Sequence, residues 1–199
     1  MHAKLSAVAL SVAAVLAMSA CGKKEEPKPV AAPAAPAAPA APAPKPEVVV
    51  KLGHVAPMTG PQAHLGKDNE SGARLAIEEL NAQGLEIGGA KVTFELLGED
   101  DQADPKQGSI VAQKLVDAKV AGVIGHLNSG TTIPASKLYS DAGIPQISGS
   151  ATNPKYTQQG FKTAFRVMAN DVQQGKALGE FAAKQGVKTV AVVDDRTAY

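Results

Sequence analysis

From Glu47 onward, short runs of β-branched residues alternate with longer amphipathic stretches. The run "EVVVKLGHV" predicts a buried strand. "GKDNESGARLAIEELNAQG" places Ala73, Leu75, Ala76, Ile77 and Leu80 at helical spacing, with Gly84 as a stop. "KVTFELLGEDD" predicts the second strand, and Asp104-Pro105 then supplies an N-cap and a first-turn proline for a helix over "PKQGSIVAQKLVDAK". The series continues with a strand in "VAGVIGH", a helix in "IPASKLYSDAG" and a strand in "IPQISGS". A further strand is expected between Thr163 and Val167, then a helix over "DVQQGKALGEFAAKQG" and a last strand in "KTVAVVDD". Strands that alternate with helices in this way predict an α/β fold with a doubly wound parallel sheet.

The first 46 residues follow another pattern. Met1-His2-Ala3-Lys4 precedes an apolar run from Leu5 to Ala17 and the small residues before Cys21. Residues 1–21 therefore read as a secretory signal peptide, the apolar run being too short for a comfortable membrane span. Small residues directly before a lone cysteine resemble the lipobox of bacterial lipoproteins, with Cys21 as the acylated N-terminus and Met18 in place of the usual Leu. Gly22 argues against an inner-membrane retention signal, and the choice of membrane stays open. Residues 22–46 carry proline at every third position over much of their length, which favours an extended, disordered linker. At about 3.1 Å per residue it could hold a domain on the order of 70 Å from its anchor.

Charge and composition remove several function classes. A formal net charge of +1 leaves no electrostatic footprint for nucleic acid, and an aromatic content of 4 % without Trp argues against a stacking platform. The single cysteine excludes an intrachain disulfide. His54, His64 and His126 lack metal-ligand spacing, so no metal or cofactor is expected; His126 is expected to orient the polar segment it opens. Asp100 and Asp101, like Asp194 and Asp195, read as solvated or capping pairs, not as a receiver-type Mg²⁺ site. Gly149-Ser150-Ala151 lacks the context of a nucleophile elbow, and an enzyme is not expected.

In open α/β sheets ligands bind beyond the carboxyl ends of the strands. Two of the segments there, "HLNSGTT" and "SGSATNP", are rich in Ser, Thr and Gly. Free amides at a helix start, with hydroxyls beside them, suit a small anion such as a carboxylate, although plain capping wants the same residues.

"GHVAPMTGPQAHLGKDNESGARLAIEELNAQGL", "EDDQADPKQGSIVAQKLV", "VIGHLNSGTTIPAS", "PQISGSATNP" and "FRVMANDVQQG" resemble, in that order, the periplasmic branched-chain amino-acid binding proteins of ABC transporters. The resemblance runs from Val48 to Tyr199. It implies a periplasmic binding protein type I fold: a first lobe over residues 47–166, and a second lobe begun over residues 167–199. It implies that Ser129, with Asn128 and Gly130 around it, meets the carboxylate and ammonium of an amino acid. Thr152 would add a hydroxyl, Ser150 a backbone group, and Tyr199 would close over the ligand. His64 and Leu65 stand where relatives often carry Tyr, and Ala103 and Asn128 stand at the positions of a disulfide found in some of them. The acidic partner of the ligand's ammonium is expected beyond Tyr199, which is then not a natural C-terminus. The resemblance thus implies a periplasmic, membrane-anchored lipoprotein of a Gram-negative-type bacterium. It would capture an amino acid, of branched-chain type first, or a related small carboxylate or amide, and deliver it to an ABC permease. A ligand-sensing receptor domain of the same fold, regulating a partner protein, is the alternative.

Overall fold

The computed structural model describes residues 43–197 and residue 199. The expected signal peptide, Cys21 and most of the linker lie outside the described residues; residues 43–46 are exposed and irregular.

The elements run β1 (Glu47–Ala56), α1 (Ala63–Ala82), β2 (Glu86–Ile87), β3 (Ala90–Asp100), α2 (Pro105–Asp117) and β4 (Gly122–Gly125). They continue with α3 (Ser129–Asp141), β5 (Gln146–Ser148), α4 (Lys155–Gln158), β6 (Ala164–Arg166) and α5 (Asp171–Lys184). Among the described residues one six-stranded sheet forms, in the order β2-β3-β1-β4-β5-β6. The pairs β1–β3, β1–β4, β4–β5 and β5–β6 are parallel, and the short β2 joins β3 antiparallel. β2 is an addition to the expected set. Gly88 and Gly89, both at positive φ, turn the chain back into a hairpin too short to leave a periodic trace.

The core lies between the sheet and the pair α2–α3: Val55 and Val123 pack with Val111, Ala112, Leu115, Ala135 and Tyr139. Val55 points into that core while its neighbour His54 meets α1, so the period of two along β1 gives each face of the sheet its own helix layer. β3 and β4 lie on opposite sides of β1, which makes the β1–β4 boundary the topological switch point of the sheet. β1 is buried there, over Gly53 to Ala56, and largely exposed at its start.

Two expectations need correction. α3 begins at Ser129, five residues before Pro134, so most of the expected loop "HLNSGTT" is the first helical turn. The carbonyl of Asn128 accepts from the amides of Thr131 and Thr132, which starts the helix upstream of its proline. "KTVAVVDD" is not a strand: no other strand among the described residues lies beside it, and Val193 stays 91 % exposed. α5 forms as expected, on a capping box between Asn170 and Gln173, but buries no residue.

Candidate functional site

The C-terminal ends of β1, β3, β4 and β5 converge on one edge of the sheet. Close approach is what shapes this edge. A Cβ on Gly66 would sit 2.0 Å from the carbonyl oxygen of Pro57, so glycine alone lets α1 lie against the segment that leaves β1. Gly125, at φ 126°, likewise passes the Val55 carbonyl where a Cβ would come within 2.4 Å.

Asn128 is the N-cap residue of α3, yet its side chain makes no capping hydrogen bond. Its Nδ2 instead donates to Gln62 Oε1 at 2.7 Å, tying the segment after β4 to the segment after β1 across the switch point. Asn128 is 1 % exposed, and its Oδ1 is a buried acceptor without a partner among the described residues. Thr131 and Thr132 donate their amides to the Asn128 carbonyl, while the amides of Ser129 and Gly130 precede the first helical acceptor. An uncapped helix start and an unfilled acceptor therefore lie side by side.

A buried network holds this segment. His126 donates Nδ1–H to Asp101 Oδ2 at 3.1 Å, because an ionised carboxylate can only accept, and its Nε2 faces the Tyr139 hydroxyl at 3.1 Å. Burial pushes the Asp101 carboxyl up, but the hydrogen bond and charge of His126, with bonds from Thr131 and the Ala103 amide, outweigh it and hold the group below its usual range. The His126 carbonyl accepts from Ser148 Oγ at 2.8 Å and from Thr132 Oγ1 at 3.2 Å. The expected orienting role of His126 thus has named partners. The acidic pair caps a turn: Asp100 Oδ1 accepts from the Gln102 amide and Asp101 Oδ1 from the Ala103 amide, both residues at positive φ. Capping fits both members; solvation does not fit Asp101, which is fully buried beneath the turn it caps.

Two cavities open at this edge. One of about 300 Å³ is lined by Thr59, Pro61, Gln62, Gln102, Ala103, Asn128 and Thr197. The other, of about 220 Å³, is lined by Leu65, Asp68, Asn69, Leu127, Ser150 and Tyr199. Ser150 and Tyr199 therefore share a cavity, with the Tyr199 hydroxyl 3.4 Å from the Ser150 carbonyl. Asn128 belongs to the neighbouring one. Ser129, Gly130 and Thr152 line neither. Ser129 is buried and its Oγ accepts from the Asn153 amide at 3.1 Å, which joins the segments after β4 and β5. Ser150 Oγ donates to the Leu127 carbonyl at 3.0 Å, and Thr152 is buried. Ala103 and Asn128 line one cavity, so the two positions are spatial neighbours.

Residues 49–199 match the family model of the periplasmic binding proteins. The chain belongs to this family. It is 44 % identical over 154 residues to a Leu/Ile/Val-binding protein homolog 1 of Brucella melitensis, covering 77 % of this chain and 40 % of that relative. It is 40 % identical over 151 residues to the leucine-, isoleucine-, valine-, threonine-, and alanine-binding protein of Pseudomonas aeruginosa, covering 75 % and 40 %. The chain thus spans about 40 % of the length of the curated relatives it matches. Among solved structures, it superposes on the branched-chain amino acid transporter substrate binding protein LivJ of Streptococcus pneumoniae in complex with isoleucine. That match has a TM-score of 0.63 at 30 % identity, over 69 % of this chain and 39 % of that one. A Desulfitobacterium hafniense ABC transporter substrate-binding protein complexed with Leu matches with a TM-score of 0.60 at 33 % identity, over 70 % and 40 %. The mostly parallel sheet is that of a type I periplasmic binding protein lobe.

Proposed function

We propose that this chain carries one face of an amino-acid receptor that feeds an ABC permease. The carrying observation is Asn128: a buried acceptor without a partner, at a helix start whose first amides its side chain does not cap. Amide donors suit a carboxylate and the free acceptor suits an ammonium, so the site is complementary to the zwitterion that all α-amino acids share. On this reading the ligand's polar end is assigned to Ser129, Gly130, Ser150 and Thr152 on the segments after β4 and β5, and its cover to Tyr199. In its support, the Ser129–Asn153 and Ser150–Leu127 bonds tie these segments together and Tyr199 shares a cavity with Ser150. Amino acids of branched-chain size come first as ligands, threonine among them, because relatives named for Leu, Ile and Val, and in one case also Thr and Ala, align over three quarters of the chain and because Leu65 and Leu127 give the cavity an apolar wall. The function is capture without turnover. Extracytoplasmic placement through a lipid on Cys21, with residues 22–46 as a tether, completes the reading.

A thermal-shift panel of amino acids on the full-length protein tests it. At about 100 times its Kd, a ligand adds about 2.7 kcal/mol, so leucine, isoleucine or valine should raise the melting temperature clearly. A panel that leaves the transition unmoved rejects the reading.

A further inference from the structure

His54 is fully buried on β1 and makes one side-chain hydrogen bond, between Nε2 and Asn69 Oδ1 of α1 at 3.0 Å; its Nδ1 has no partner among the described residues. This asymmetry fixes both side chains. Were the proton on Nδ1, an N–H donor would be buried unsatisfied, which costs more than leaving a bare ring nitrogen. Nε2–H therefore donates, and Asn69 must present its oxygen to it. Burial holds the imidazole below its ordinary value of 6.5, against the opposing effect of the Asn69 bond, so the ring is neutral at neutral pH. With its oxygen anchored inward, Asn69 keeps two amide N–H groups that no acceptor among the described residues takes up. Asn69 also lines the 220 Å³ cavity, beside Leu65, Leu127 and Asp68.

The geometry points to Asn69 as a selectivity residue, set by His54, that donates a hydrogen bond to a side-chain oxygen of the bound amino acid. This rests on the receptor reading above and sharpens its substrate class. Leu65 and Leu127 accept a branched or unbranched hydrocarbon, while Asn69 rewards an oxygen carried on it. Asp68 repels a carboxylate and can accept from a hydroxyl or an amide, so the favoured oxygen is neutral: threonine over its isostere valine, glutamine over methionine and over glutamate. Asn69 is half-buried, so where the bound side chain covers it, an analogue lacking the oxygen leaves its donor unpaired and is disfavoured.

The test is isothermal titration of the full-length protein with threonine, valine, glutamine, methionine and glutamate. At least one oxygen-bearing neutral member should bind about fivefold or more tightly than its apolar counterpart. Asn69→Leu should erase that ratio. Asn69→Asp keeps the size and the bond to His54 but removes the donor, and should erase it as well. His54→Phe should shrink the ratio, because Asn69 is no longer held. If the apolar members bind and the ratio is absent in the wild type, or survives both Asn69 variants, the assignment of Asn69 is wrong and the receptor reading stands. If none of these amino acids binds, both fall.

Discussion

Several side chains at this edge are legible only with their partners in view. The polar character of Asn128, Ser129 and Thr132 marks the site in the sequence, but Gln62, sixty-six positions before Asn128, does not announce that it takes the Asn128 amide. The same holds for Asp101 with His126 and for His54 with Asn69: nothing in the sequence marks either pair as partners, which only the fold brings together. Burial of His54, and the hydrogen bonds that Asp100 and Asp101 accept, set a pH dependence. The folded protein holds His54 below 6.5, and Asp100 and Asp101 below 3.8. For Asp100, partial burial acts upward, but the bonds from Thr59, Gln102 and Met58 prevail. In each case the unfolded chain binds more protons, so stability falls as pH falls. The His54 contribution is complete above about 6.5 and declines below it; the carboxylate contributions are lost only below about 3.8. Urea midpoints measured from about pH 7.5 to about pH 5 should therefore decline in the wild type and decline less in His54→Phe. Equal slopes would show that His54 is not the buried neutral group described.

Among the elements, the alternation of strands and helices, the Asp104 cap and the helix α5 are all readable from spacing, and the Asp104 side chain does accept from the Gln107 amide. The start of α3 is not. Pro134 reads as a first-turn residue, yet the helix begins at Ser129 because the Asn128 carbonyl gathers two amides ahead of it. The "KTVAVVDD" segment shows the converse: β-branched residues suit a strand, but a strand needs a neighbour to take its hydrogen bonds. Close contact between elements makes its own demand at Gly66. Gly66→Ala places a methyl into the Pro57 carbonyl, so α1 must move away from the segment after β1. The expected cost is about 1–3 kcal/mol, read as a lower urea midpoint, with weaker ligand binding because Leu65, Asp68 and Asn69 move with α1. A variant as stable as the wild type would contradict the close approach of α1.

For the molecule as a whole, the switch point between β1 and β4 brings a helix start, an unfilled acceptor and two cavities to one edge. Exposed apolar residues on α5, Leu178 and Phe181 among them, lie in the stretch assigned to the beginning of a second lobe. Recognition of the zwitterion by this edge is the central claim. The most direct measurement is calorimetric titration of leucine, and of isocaproate, which lacks the amino group, into the full-length wild type and Ser129→Ala. Leucine should bind the wild type, isocaproate should bind at least about tenfold more weakly, and Ser129→Ala should lose about tenfold or more for leucine. Equal binding of the two compounds, or an unchanged leucine affinity in Ser129→Ala, would show that the segment after β4 does not receive the amino acid's polar end.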